Sequence, residues 1–88
     1  MRIPAGFIIR QVAGETVAIP TGEAAKELSG LVALGGSGEF LFELLKEEQT
    51  AESLVDALLQ NYNVSPATAE ADVNEFLQIL RENGILIE

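Results

Sequence analysis

The chain has 88 residues, carries 14 acidic against 5 basic groups for a formal charge of -9, and contains neither histidine nor cysteine. The missing residue types remove imidazole and thiolate chemistry, disulfides and nearly every zinc or haem site, so no cofactor is expected. The charge repels phosphate backbones and anionic membrane surfaces, which argues against nucleic acid or a membrane as partner.

A chain of this length builds one core, so a single domain over residues 1–88 is expected, and an apolar fraction of 48% suits a packed fold. Met1 to Arg10 has no long apolar run of the signal-peptide or membrane-spanning kind, and a cytoplasmic location is the default. Neither length nor charge fixes the oligomeric state.

Phe7 to Val12 is rich in β-branched and aromatic residues, Ala13-Gly14 offers a two-residue turn, and Glu15 to Ile19 places Val17 and Ile19 two apart. This predicts an N-terminal hairpin. Pro20, Thr21 and Gly22 break the ladder, and the polar stretch Glu23 to Gly30 connects to a third strand at Leu31 to Leu34.

Gly35-Gly36-Ser37-Gly38 then supplies a turn with a cap candidate, and Phe40, Leu41, Leu44 and Leu45 mark a first helix running to about Glu47. Thr50 is a natural N-cap for a second helix over Ala51 to Asn61, with an apolar stripe of Leu54, Val55, Leu58, Leu59 and Tyr62. Ser65 and Pro66 open a third, whose buried face is Ala69, Val73, Phe76, Leu77 and Leu80 and which Asn83-Gly84 ends. Ile85 to Ile87 suits a short strand or extended segment returning to the sheet. Three strands followed by three helices imply an α+β domain, and the closely spaced last helices suggest a winged helix-turn-helix, a shape that does not by itself license DNA binding.

Few motifs carry chemistry. A strand running into Gly36-x-Gly38 and a helix resembles a phosphate cradle, but the third glycine and any Lys-Ser or Lys-Thr pair are absent, so a tight strand-to-helix turn is the better reading. Glu47-Glu48 and Glu70 with Asp72 lack calcium-loop spacing and read as solvated faces. Phe7, Phe40, Phe42, Phe76 and Tyr62 read as core aromatics, with Phe42 furthest from the first helix's stripe and assigned to burial under the hairpin. Ile79 sits about 100° off the third helix's buried stripe, beside Asp72 and Glu75, where an apolar side chain can floor a groove.

Taken together, Gly6-Phe7-Ile8-Ile9-Arg10, Ala13-Gly14-Glu15-Thr16, Ile19-Pro20-Thr21-Gly22-Glu23-Ala24, and Leu34 leading through Gly38 to Phe40-Leu41-Phe42-Glu43-Leu44-Leu45 follow a family pattern in order. So do Gln49-Thr50, Leu54-Val55-x-x-Leu58-Leu59-x-x-Tyr62-x-Val64, Ala69-Glu70-Ala71-Asp72-Val73-x-x-Phe76-Leu77 and Leu80-x-x-x-Gly84-Ile85-Leu86. On these blocks the chain resembles the coenzyme PQQ synthesis protein D family, the PqqD-like recognition elements of peptide-modifying pathways. Gly35, where many relatives have Asn, departs from the pattern at the cap of the first helix.

The resemblance implies a winged helix-turn-helix that performs no catalysis, binds the leader of a ribosomally made precursor peptide and works beside a radical S-adenosylmethionine enzyme. It places the groove between the third strand and third helix. The residues nominated for peptide binding are Leu31, Val32, Ala33 and Leu34 at a free strand edge, with Asp72, Phe76 and Ile79 on the helix.

Two other classes compete. A winged-helix DNA regulator needs Lys or Arg on its recognition helix, whereas here Glu70, Asp72, Glu75 and Glu82 face at most Arg81. A purely structural subunit of an enzyme complex needs no groove at all, and peptide binding separates it from the leading idea.

Overall fold

A computed structural model describes residues 1–22 and 32–88. The expected connection over Glu23 to Gly30, and Leu31, lie outside the described residues. Strands β1 (Phe7–Val12), β2 (Glu15–Pro20) and β3 (Val32–Ala33) precede helices α1 (Gly38–Leu44), α2 (Ala51–Asn61) and α3 (Pro66–Glu82).

The hairpin forms because its turn residues accept the left-handed backbone that a right-twisted two-residue connection requires. Ala13 and Gly14 have φ of 52° and 82°. The register then runs from Val12↔Glu15 to Phe7↔Pro20, with proline at the last position of β2, where it interrupts no central ladder. The hydroxyl and the N–H of Thr21 both donate to the Gly6 carbonyl, each at 2.6 Å, and tie the open end of the hairpin. β3 joins antiparallel to β2 through Val17↔Ala33 and Ala18↔Val32, giving the order β1-β2-β3.

Each helix starts differently. The Ser37 side chain makes no capping bond, and the entry to α1 is a tight turn in which the Gly38 N–H donates to the Gly35 carbonyl at 2.8 Å. α1 ends at Leu44, about a turn short of the length its apolar spacing suggests. α2 opens on a reciprocal capping box: Thr50 Oγ1 accepts from the Ser53 N–H at 3.0 Å, and Ser53 Oγ accepts from the Thr50 N–H at 2.9 Å. Ser65 Oγ accepts from the Thr68 N–H at 3.2 Å ahead of Pro66, and Gly84, at φ 71°, closes α3 with a bond from the Ile85 N–H to the Leu80 carbonyl.

The core lies between one face of the sheet and the helices. Leu41, Phe42 and Leu45 from α1 and its end, Leu54 and Leu58 from α2, and Val73, Leu77 and Leu80 from α3 are essentially without solvent contact. Each contributes about 1.5–3 kcal/mol of transfer free energy. Phe42 is buried as expected, with its ring edge-on to Phe7 at 5.6 Å. Tyr62 is not a core residue. It is 43% exposed at the end of α2, and its ring stands edge-on to half-buried Phe40 at 5.4 Å.

The C-terminal tail does not extend the three-stranded sheet. The Arg2 and Ile87 backbones exchange bonds of 2.9 and 2.8 Å in an isolated antiparallel bridge. Next to this bridge Ile3 is buried, with its N–H donating to the Leu45 carbonyl at the end of α1. Arg81 hydrogen-bonds the Glu88 carboxylate at 3.1–3.3 Å, and that bond and the guanidinium charge hold the carboxyl below its ordinary pKa.

A cleft between the third strand and the last helix as candidate functional site

Strand geometry decides what β3 offers to a ligand. The Leu34 N–H donates to the Thr16 carbonyl at 2.8 Å, so residue 34 turns its backbone polar groups inward to β2. Residues alternate along an antiparallel strand, so Val32 also faces β2, while Ala33 directs its N–H and carbonyl away from it. Among the described residues no further strand pairs with that outer side. Side chains alternate in the perpendicular direction: Val32 and Leu34 are buried in the core and Ala33 is exposed.

Next to this edge lies an open cleft of about 280 Å³ lined by Ala33, the loop Gly35 to Gly38, and Asp72, Glu75, Phe76 and Ile79 of α3. The α3 face sorts itself by helical period. Val73, Leu77 and Leu80 point into the core, Phe76 stands at the boundary with 7% of its surface exposed, and half-buried Ile79 is displaced toward β3. Phe76 and Ile79 therefore floor the cleft, and the exposed carboxylates Asp72 and Glu75 stand on its rim.

Gly38 is buried where the loop meets α3. A Cβ there would meet Leu34 Cβ and Phe76 Cε1, each at 3.4 Å, an ordinary contact that places the loop directly against the aromatic ring. The loop turns at Gly36, whose φ of 53° favours glycine.

Two more cavities adjoin the cleft. One of about 320 Å³ is shared with the hairpin turn and lined by Gly14, Glu15, Thr16, Ala33, Leu34, Gly35, Gly36 and Glu39. The other, about 230 Å³, is bounded by Gly36, Ser37, Leu58, Tyr62, Val64 and Asp72. Among the described residues no basic side chain lines any of the three.

Of the residues nominated from sequence, Ala33, Asp72, Phe76 and Ile79 thus meet around one cleft. Val32 lines none of these cavities, Leu34 touches only the hairpin-side one, and Leu31 is outside the described residues. Sequence reading missed Ser37 and the second wall formed by Leu58, Tyr62 and Val64. Its only available signal was Tyr62, an amphipathic ring near a helix end.

Residues 15–86 match the family described as Coenzyme PQQ synthesis protein D (PqqD). The chain belongs to the PqqD family. No curated protein matches it. A solved structure described as TbiB1 in complex with the TbiA(beta) leader peptide is similar to this PqqD-family chain, with a TM-score of 0.70 and 26% identity over 98% of this chain and 94% of that one. The PqqD match spans β2, β3 and all three helices, hence every element that walls the strand-edge cleft, while β1 precedes it. Among the described residues no cluster of acidic groups is suited to hold a metal ion, and no helix is long and apolar enough to cross a membrane.

Proposed function

We propose that this domain binds the leader segment of a ribosomally synthesised precursor peptide by strand addition and presents it to a separate modifying enzyme. The observation that carries the reading is the outward N–H and carbonyl of Ala33 directly beside a cleft floored by Phe76 and Ile79. An extended peptide gains backbone hydrogen bonds at the edge and side-chain contacts in the cleft, the combination that strand-addition modules use for affinity and selection. Membership of the PqqD family and likeness to a leader-peptide complex support the same reading.

On this reading Ala33 supplies the pairing edge, Phe76 and Ile79 the apolar floor, and Asp72 with Glu75 the polar rim. The domain performs no bond-breaking step of its own. Its hairpin and the α2–α3 pair are a winged helix-turn-helix put to use on peptide, since α3 offers carboxylates where phosphate contacts need cations. The partner enzyme is of the radical S-adenosylmethionine class, and the encounter takes place in the cytoplasm, where ribosomal precursors arise.

Titrating the purified domain with the leader segment of a candidate precursor peptide from the same genome tests this directly. Saturable binding is expected, together with co-purification of a radical S-adenosylmethionine enzyme from the same organism that is strengthened by the peptide. An enzyme that co-purifies equally well with and without peptide, and no leader binding, identifies a structural subunit instead.

A further inference from the structure

We propose that the cavity between α2 and α3 is a second subsite of the groove, taking one large apolar side chain of the peptide where it runs on past the Gly35 end of β3. This rests on the leader-binding reading above. The cavity of about 230 Å³ and the strand-edge cleft share Gly36, Ser37 and Asp72, so the two adjoin around the glycine loop. A strand that pairs with Ala33 and continues in the direction of Leu34 and Gly35 is led over that loop and into the cavity mouth.

The lining selects the occupant. Leu58 is buried and floors the cavity, half-buried Val64 and exposed Tyr62 form its sides, and Asp72 at the shared boundary is its one charged group among the described residues. Tyr62 is held in place without being covered. Its N–H donates to the Leu58 carbonyl at 2.8 Å, its backbone is extended, and its ring stands against Phe40. A pre-positioned, amphipathic ring beside an apolar pocket loses little side-chain entropy when an apolar group is placed on it. The strand edge itself selects weakly, because backbone bonds are available to any sequence. An apolar side chain at a fixed distance from the paired segment supplies the register that the edge lacks.

Leader-length random peptides displayed on phage are to be selected on the wild-type domain and on Val64→Glu and Tyr62→Ser, with Ala33→Pro as the control that removes strand pairing. Both cavity substitutions alter partly exposed positions, and circular dichroism confirms that each variant is folded. Wild-type selection is expected to enrich a large apolar residue at a constant spacing from the rest of the motif, and Val64→Glu and Tyr62→Ser to lose that enrichment alone. Replacing the residue by Ser in a selected peptide weakens binding to wild type by about tenfold and leaves binding to Val64→Glu unchanged, the signature of a direct pair. Equal losses on both proteins, or the same enrichment on all, overturn the second subsite while leaving strand addition standing. Selected peptides that bind Ala33→Pro as well as wild type overturn the leader-groove reading itself.

Discussion

Leu34 gives its N–H to the Thr16 carbonyl, and through that one bond of 2.8 Å it fixes its neighbour Ala33 as the residue facing away from the sheet. The two amides should exchange with solvent very differently. In the free protein the Leu34 amide is protected and the Ala33 amide exchanges quickly; saturating leader peptide slows Ala33 by about tenfold or more and changes Leu34 little. Hydrogen exchange followed by NMR reads both in one sample. An Ala33 amide that exchanges equally fast with and without bound peptide contradicts pairing at this edge.

The cleft floor can be separated from the core beneath it. Ile79→Ser removes a half-buried side chain at the groove and should cost about 1 kcal/mol of stability while weakening leader binding by about tenfold. Phe42→Ala empties a fully buried site under Phe7 and should cost about 3–5 kcal/mol, enough to unfold most of a domain this small. Urea melts with peptide titration of the folded variant check both.

Much of the fold was legible because its local chemistry agrees with its packing. The Ala13-Gly14 turn, the Thr50 and Ser65 caps, Pro66, and the Asn83-Gly84 stop each mark a boundary that the structure also has. Ala69, Val73, Phe76, Leu77 and Leu80 are the buried face of α3 as their spacing requires. The errors lie where tertiary contacts override local pattern. Leu59 and Tyr62 continue the α2 stripe in sequence yet face outward, because α3 covers only the side carrying Leu54 and Leu58. Ile87 finds Arg2, a partner 85 positions away that no spacing reveals.

The site was half legible for a related reason. Ile79 stood out because it breaks the polar side of α3, and Ala33 because it sits in a short apolar run. Which of Val32 and Ala33 faces outward depends on the register with β2, a long-range pairing set by the geometry of Thr16 and Leu34. The loop wall from Gly35 to Gly38 is mostly backbone, and backbone walls leave little trace in side-chain pattern.

The α2 capping box supports the second wall of the groove from a distance. Thr50→Ala removes the acceptor for the Ser53 N–H and should lower stability by about 1 kcal/mol without changing leader affinity at a temperature where both proteins are folded. Thermal melts and a titration well below the transition provide the comparison. A large loss of affinity in the folded variant contradicts the division between cap and groove.

Charge argues against nucleic acid as a partner. With a formal charge of -9 and carboxylates at Glu70, Asp72, Glu75 and Glu82 on α3, the protein should give no gel shift of duplex DNA at ~150 mM salt and micromolar protein. A shift that weakens steeply as salt rises identifies phosphate binding and contradicts this assignment.

Strand addition at the outer edge of β3 is tested most directly by moving a single proline by one residue. Val32→Pro removes the N–H that faces β2 and leaves a buried carbonyl of Ala18 without its donor, at about 1–3 kcal/mol, so its melting temperature should fall. Ala33→Pro removes only the outward N–H and should melt close to the parent while losing about tenfold or more in leader affinity. Melts and leader titrations of the pair give the answer: a stable Ala33→Pro that fails to bind leader is the predicted result, and an Ala33→Pro that binds leader like the parent contradicts the account.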